Sequence, residues 1–72
     1  MILVDKSGHM VSDVHLSELH AFATYVGLRK EWFQDKRIPH YDLTTENMIQ
    51  KALRGGASLV DSRELVRRTV RK

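Results

Sequence analysis

The chain has no cysteine. That removes disulfides, thiolate metal sites and a cysteine nucleophile together, and it makes a reducing, cytoplasmic setting the natural expectation. It also has no long apolar run. Ile2-Leu3-Val4 is cut off by Asp5 and is far too short for a signal-peptide core or a membrane span, so no membrane partner is expected. There is no glycine-rich phosphate loop of the Walker type and no serine in a G-x-S-x-G elbow, so the residues point away from covalent catalysis. No segment repeats and none is of low complexity. At 72 residues the chain reads as one domain, 1–72, near the smallest size that an apolar core can hold without staples.

What is present is a modest positive charge, unevenly spread. Twelve Lys and Arg against nine Asp and Glu give +3. Between Arg63 and Lys72 stand five basic residues (Arg63, Arg67, Arg68, Arg71, Lys72) and one acid, Glu64, so the remainder of the chain is close to neutral. Arg63, Arg67 and Arg71 recur every fourth residue, which on a helix makes one ridge able to lie on nucleic-acid phosphates. A solvated face whose cations complement a helix C-terminus explains the same pattern, and no interleaved aromatics mark a base-stacking platform.

Apolar spacing gives the elements. Ile2 to Val4 reads as a strand buried on both faces, followed by a Lys6-Ser7-Gly8 turn. Leu16, Leu19, Phe22, Ala23 and Val26 define one face of a helix from about His15 to Val26, stopped by Gly27. Trp32 and Phe33 stand among charged residues in a segment read as a single helical turn, closing the core from one side. Pro39 biases Ile38 to extended geometry, and His40 to Leu43 alternates like a strand. Thr44 is the expected N-cap of a second helix carrying Met48, Ile49, Ala52 and Leu53, with Gly55-Gly56 as its stop. A third strand, Ala57 to Val60, leads to Asp61 as N-cap with Glu64 three residues on, and to a last helix with Leu65, Val66 and Val70. The order β-α-β-α-β-α predicts an α/β fold with a small three-stranded, mostly parallel sheet.

Ligands of open α/β sheets bind beyond the carboxyl ends of the strands. That edge is expected to collect Asp5, the loop containing His9, Ser12 and Asp13, then His40 and Asp42, and then Ser62 and Arg63, with Arg67 behind. Helix N-termini and hydroxyls there suit a phosphate-bearing ligand. Asp5, Asp42 and His40 could hold a hard cation such as Mg²⁺ or Mn²⁺, with His9 and Asp13 able to add to it, although caps and turns explain each acid singly. Of the four histidines, His15 and His20 are five apart, about 140° round a helix, which is not the zinc spacing of H-E-x-x-H. His20 is expected to be a hydrogen-bonded structural residue and His15 a solvated cap.

The motifs GHMVSD (Gly8 to Asp13), ELHAFATYVGL (Glu18 to Leu28), Trp32-Phe33, HYDLT (His40 to Thr44) and SRELVRR (Ser62 to Arg68) resemble a small bacterial and phage family known only as a domain of unknown function. The resemblance spans almost the whole chain. The resembling pattern has an acid matching Asp5, a histidine and an aspartate matching His9 and Asp13, the Glu18-Leu19 and His20 positions, the histidine, tyrosine and aspartate of His40-Tyr41-Asp42, and arginines matching Arg63 and Arg67. Longer members that continue into an HD-type phosphohydrolase domain imply a neighbourhood of phosphate chemistry. The chain departs from the pattern in a shorter stretch between Lys6 and His9 and in Gly8, which stands where an aromatic is usual.

Three functions follow as expectations. The first is a phage- or prophage-type accessory domain that binds a nucleotide or nucleic acid at the sheet edge. The second is a metal-dependent phosphodiesterase or nuclease, and the third is a small phage protein that binds and inhibits a host protein.

Overall fold

The first departure from these expectations comes straight after Val4. The computed structural model describes residues 1–70, so Arg71 and Lys72 lie outside the described residues. Strand β1 (Ile2–Val4) turns through Lys6-Ser7-Gly8 and returns at once as β2 (His9–Ser12), antiparallel to β1 with Leu3 opposite Val11 and Val4 opposite Met10. Gly8 makes the turn possible. Its φ is +91°, and a Cβ there would sit 2.2 Å from the Leu43 carbonyl oxygen, a conformation and a contact open only to glycine.

Helix α1 (Leu16–Tyr25) follows, with the His15 ring accepting from the Glu18 amide as N-cap. A 3-10 turn, Lys30–Trp32, then leads into β3 (Phe33–Gln34) and β4 (His40–Asp42), which pair antiparallel. β4 also pairs antiparallel with β2, placing His9 opposite Asp42 and Met10 opposite Tyr41. Helix α2 (Glu46–Arg54), β5 (Ser58–Leu59) and helix α3 (Ser62–Arg68) complete the chain, and β5 pairs parallel with β1.

The sheet therefore has five strands in the order β3-β4-β2-β1-β5, and only the β1–β5 pairing is parallel. The expected three-stranded, mostly parallel sheet is overturned. His9 to Ser12 is a strand, not part of a loop, because a tight turn after a strand brings the chain back beside it. Phe33 belongs to an edge strand, while Trp32 stays in the 3-10 turn and is 44% exposed, so the two do not close the core as a pair. The second helix is capped by Thr45, whose hydroxyl accepts from the Met48 amide, and not by Thr44. Helix α3 ends at Arg68, since Thr69 turns to extended backbone; the described part of the arginine ridge is Arg63 and Arg67.

The alternation of strand side chains divides the apolar residues between two faces. Ile2, Val4, Met10 and Tyr41 face α1 and α2 and pack with Leu19, Ala23, Val26, Ile49 and Ala52. Leu3 and Val11 face the other way and are covered by Leu65 of α3, with Ile38 and Val60 beside them. At about 1.5–3 kcal/mol for each fully buried large apolar side chain, the first face carries most of the apolar stabilisation. The second is a thin layer that leaves the ends of β2 and β4 open.

The directions matter for function. β2 runs opposite to both β1 and β4, so β1, β4 and β5 share a direction and their carboxyl ends lie at one edge. The strands expected from the sequence do point the same way, but β2 stands between β1 and β4.

Candidate metal centre

On the thinly covered face, alternation places His40 and Asp42 together and turns Tyr41 into the core. Tyr41 is fixed there by the His20 ring, whose Nδ1 lies 2.8 Å from the phenol oxygen, and burial raises its hydroxyl above the ordinary phenol range. The hairpin brings His9, the first residue of β2, directly opposite Asp42. His40 Nε2 is 3.3 Å and His9 Nε2 4.0 Å from Asp42 Oδ1. One donor atom from each of the three side chains lies within 4.8 Å of the other two. An ion about 2.1 Å from imidazole nitrogen and carboxylate oxygen needs such atoms roughly 3–4 Å apart, a gap that small turns of side chains at the surface can close.

Both rings are held from behind. His9 Nδ1 lies 3.0 Å from Asp5 Oδ2 and His40 Nδ1 lies 2.7 Å from the Ile38 carbonyl oxygen. A carbonyl oxygen and a carboxylate only accept, so the network assigns a hydrogen to Nδ1 on each ring and turns each Nε2 toward Asp42. Metal-bound histidines are oriented in this way by a carboxylate or backbone carbonyl behind the ring.

Asp5 is therefore not a direct partner of Asp42. Its carboxylate accepts from the His9 amide at 3.0 Å, the His9 ring, and the Ser62 hydroxyl at 3.0 Å, and it is 1% exposed. Burial works to raise its pKa, but the His9 amide and ring and the Ser62 hydroxyl outweigh it and hold the carboxyl below the usual range. In contrast the His9 and Asp42 side chains are 46% and 47% exposed, while His40 is 16% exposed, so the site opens to solvent on the side of His9 and Asp42. His9 takes the place that the sequence reading gave to Asp5. A signal was available: in a hairpin that turns at Ser7-Gly8, the residue after the turn must pair near Asp5.

Other expected residues lie elsewhere. Ser12 is at the far end of β2, about 10 Å along the strand from His9. Its hydroxyl donates to Glu18 at 2.6 Å and accepts from the Val14 amide. Asp13 accepts from the Met1 amino group at 2.9 Å and from Arg68 at 2.8 Å. Together these groups tie β1, β2, α1 and α3 at the opposite edge. Arg67 and Arg68 both contact Glu64. Arg63 is exposed on the same helix as Ser62, with no charged partner among the described residues.

The donor set decides the kind of ion. Two imidazole nitrogens and one carboxylate oxygen suit Zn²⁺, Mn²⁺ or Fe²⁺, whereas Mg²⁺ prefers an all-oxygen shell. Three protein donors also leave positions for water or a ligand.

Comparison with known families gives a match over residues 4–72 to the family described as protein of unknown function, DUF4031. The chain belongs to this family. No curated protein and no solved structure matches it, so the chemistry of the DUF4031 site rests on its own geometry. Among the described residues of this DUF4031 chain, no helix is long and apolar enough to cross a membrane.

Proposed function

We propose that this domain holds one divalent transition-metal ion through His9, His40 and Asp42 and uses the ion's remaining positions to bind a phosphate-bearing ligand. The observation that carries the reading is the pair of histidines locked from behind, with both Nε2 atoms converging on one carboxylate oxygen. A bound ion would supply the positive charge for phosphate that the side chains do not. Arg67 and Arg68 are engaged with acids, leaving Arg63 beside Ser62 as the nearest cation on α3. The same ion would polarise a phosphate ester or activate water if the domain is hydrolytic. A cytoplasmic setting belongs to the proposal and is supported by the absence of cysteine. No observation on the structure favours a phage setting or a host-protein partner.

Calorimetric titration with zinc, manganese and magnesium chlorides tests it. We expect one zinc or manganese ion per chain and much weaker magnesium binding. His9→Ala and His40→Ala should each lower zinc affinity by at least a hundredfold, and inorganic phosphate should bind the loaded protein but not the metal-free one. No zinc or manganese binding, or equal binding by the variants, would mean that His40 and Asp42 form only a surface ion pair.

A further inference from the structure

Beside the triad lies a cleft of about 430 Å³ lined by Glu31, Trp32, Gln34, Asp42, Thr44 and Met48. Asp42 is common to both: its carboxylate meets His9 and His40 and its side chain forms one wall of the cleft. Gln34 is the cross-strand neighbour of His40, so a molecule in the cleft lies against Asp42 and one strand position from His40.

The lining is specific in kind. Trp32 is a large aromatic left 44% exposed although the core has an apolar face to offer, and Met48 of α2 contributes a polarisable thioether to the same cleft. A flat ring between them gains stacking and sulfur–aromatic contact. The polar groups are the carboxylates of Asp42 and of Glu31, the latter also accepting from Arg29 at 2.7 Å, and the carboxamide of Gln34 and hydroxyl of Thr44, which both donate and accept. Two carboxylates beside an aromatic wall suit a planar heterocycle with N–H groups on its edge. The volume falls within the range of small-ligand sites, enough for a base and its sugar.

We infer that the cleft receives the base of a nucleotide, with Trp32 and Met48 on its faces and Glu31 and Gln34 on its N–H edge, while the phosphate reaches the metal at His9, His40 and Asp42. The phosphate half rests on the function proposed above; the base half does not. Guanine, with a ring N–H and an amino group side by side, matches the carboxylate best. Trp32 becomes a specificity-determining residue, which apolar patterning alone would have assigned to the core.

Trp32 is the single tryptophan, so its fluorescence reports the cleft directly. The experiment titrates GMP, guanosine and ribose 5-phosphate into the full chain, with and without zinc, following fluorescence and heat. We expect GMP and guanosine to quench Trp32 saturably, and GMP to bind zinc-loaded protein at least tenfold tighter than ribose 5-phosphate, the scale of one stacked base. Trp32→Ala should bring GMP down to the affinity of ribose 5-phosphate while zinc affinity stays unchanged, which also shows that the variant is folded. Equal binding of GMP and ribose 5-phosphate, or GMP affinity indifferent to Trp32→Ala, overturns the inference. If zinc fails to bind, the metal reading falls and guanosine with the metal-free protein decides the cleft alone: a saturable quench supports it and none overturns it.

Discussion

Asp5 is a buried carboxylate with three donors and no solvent, and its value lies in being an acceptor only. Asn at this position keeps the shape but offers one oxygen and turns an NH₂ group toward groups that themselves donate. Asp5→Asn is therefore expected to cost roughly 1–3 kcal/mol in stability, the penalty for an unsatisfied buried polar group. It should also lower zinc affinity roughly 10- to 100-fold, as loss of a carboxylate behind a metal-bound histidine does. Urea denaturation measures the first and metal titration of the folded variant the second. A stability loss with unchanged zinc affinity would make Asp5 structural alone. At this scale the sequence was partly legible. His40 and Asp42 could be placed on one face by alternation alone, and His20 was identified as a structural residue, which its bond to Tyr41 matches. Asp5 was marked for chemistry but given a direct role in metal binding, because its bond to His9 depends on a hairpin that no apolar period announces.

At the level of elements, the amphipathic helices and the strands β1, β4 and β5 were readable, whereas β2 and β3 were not. Helix α1 shows several turns of its apolar face, so its span could be read to within about a residue. β2 has only Met10-Val11 between polar ends, and β3 only Phe33-Gln34; neither is long enough to display a period of two. The turn at Lys6-Ser7-Gly8 was recognised, but its consequence, an antiparallel return, was not drawn, and the error spread to the whole sheet. Helix α3 was better marked, since Asp61 Oδ1 accepts from the Glu64 amide at 2.8 Å. The reciprocal half of a capping box is absent because the Glu64 side chain turns to Arg67 and Arg68. Asp61→Ala should then cost about 1 kcal/mol, read as a lower thermal midpoint. Amide exchange should quicken first in α3, the one helix covering Leu3 and Val11.

For the whole molecule, acids tie the two edges of the sheet, and their titration makes folding depend on pH. The Met1 ammonium, then Arg68, holds Asp13 below the usual carboxylate range. The Ser12 hydroxyl, then the Met1 ammonium, does the same for Glu18. Arg67, then Arg68, lowers Glu64, and Asp5 is lowered despite its burial. Each group has a folded pKa below its unfolded value, so at acidic pH the unfolded chain binds more protons than the native one. The stability these groups contribute is complete above the ordinary carboxylate range, near pH 4, and is lost as pH falls through their depressed values. The urea midpoint at fixed ionic strength should thus be level with respect to these acids from neutrality to about pH 5, then drop steeply toward pH 2. Asp13→Asn removes one member of the set without touching the metal donors. It should lower the midpoint at neutral pH and make the acid drop shallower, leaving zinc affinity unchanged. A drop as steep in Asp13→Asn as in the unaltered chain would show that the opposite-edge cluster does not couple folding to pH.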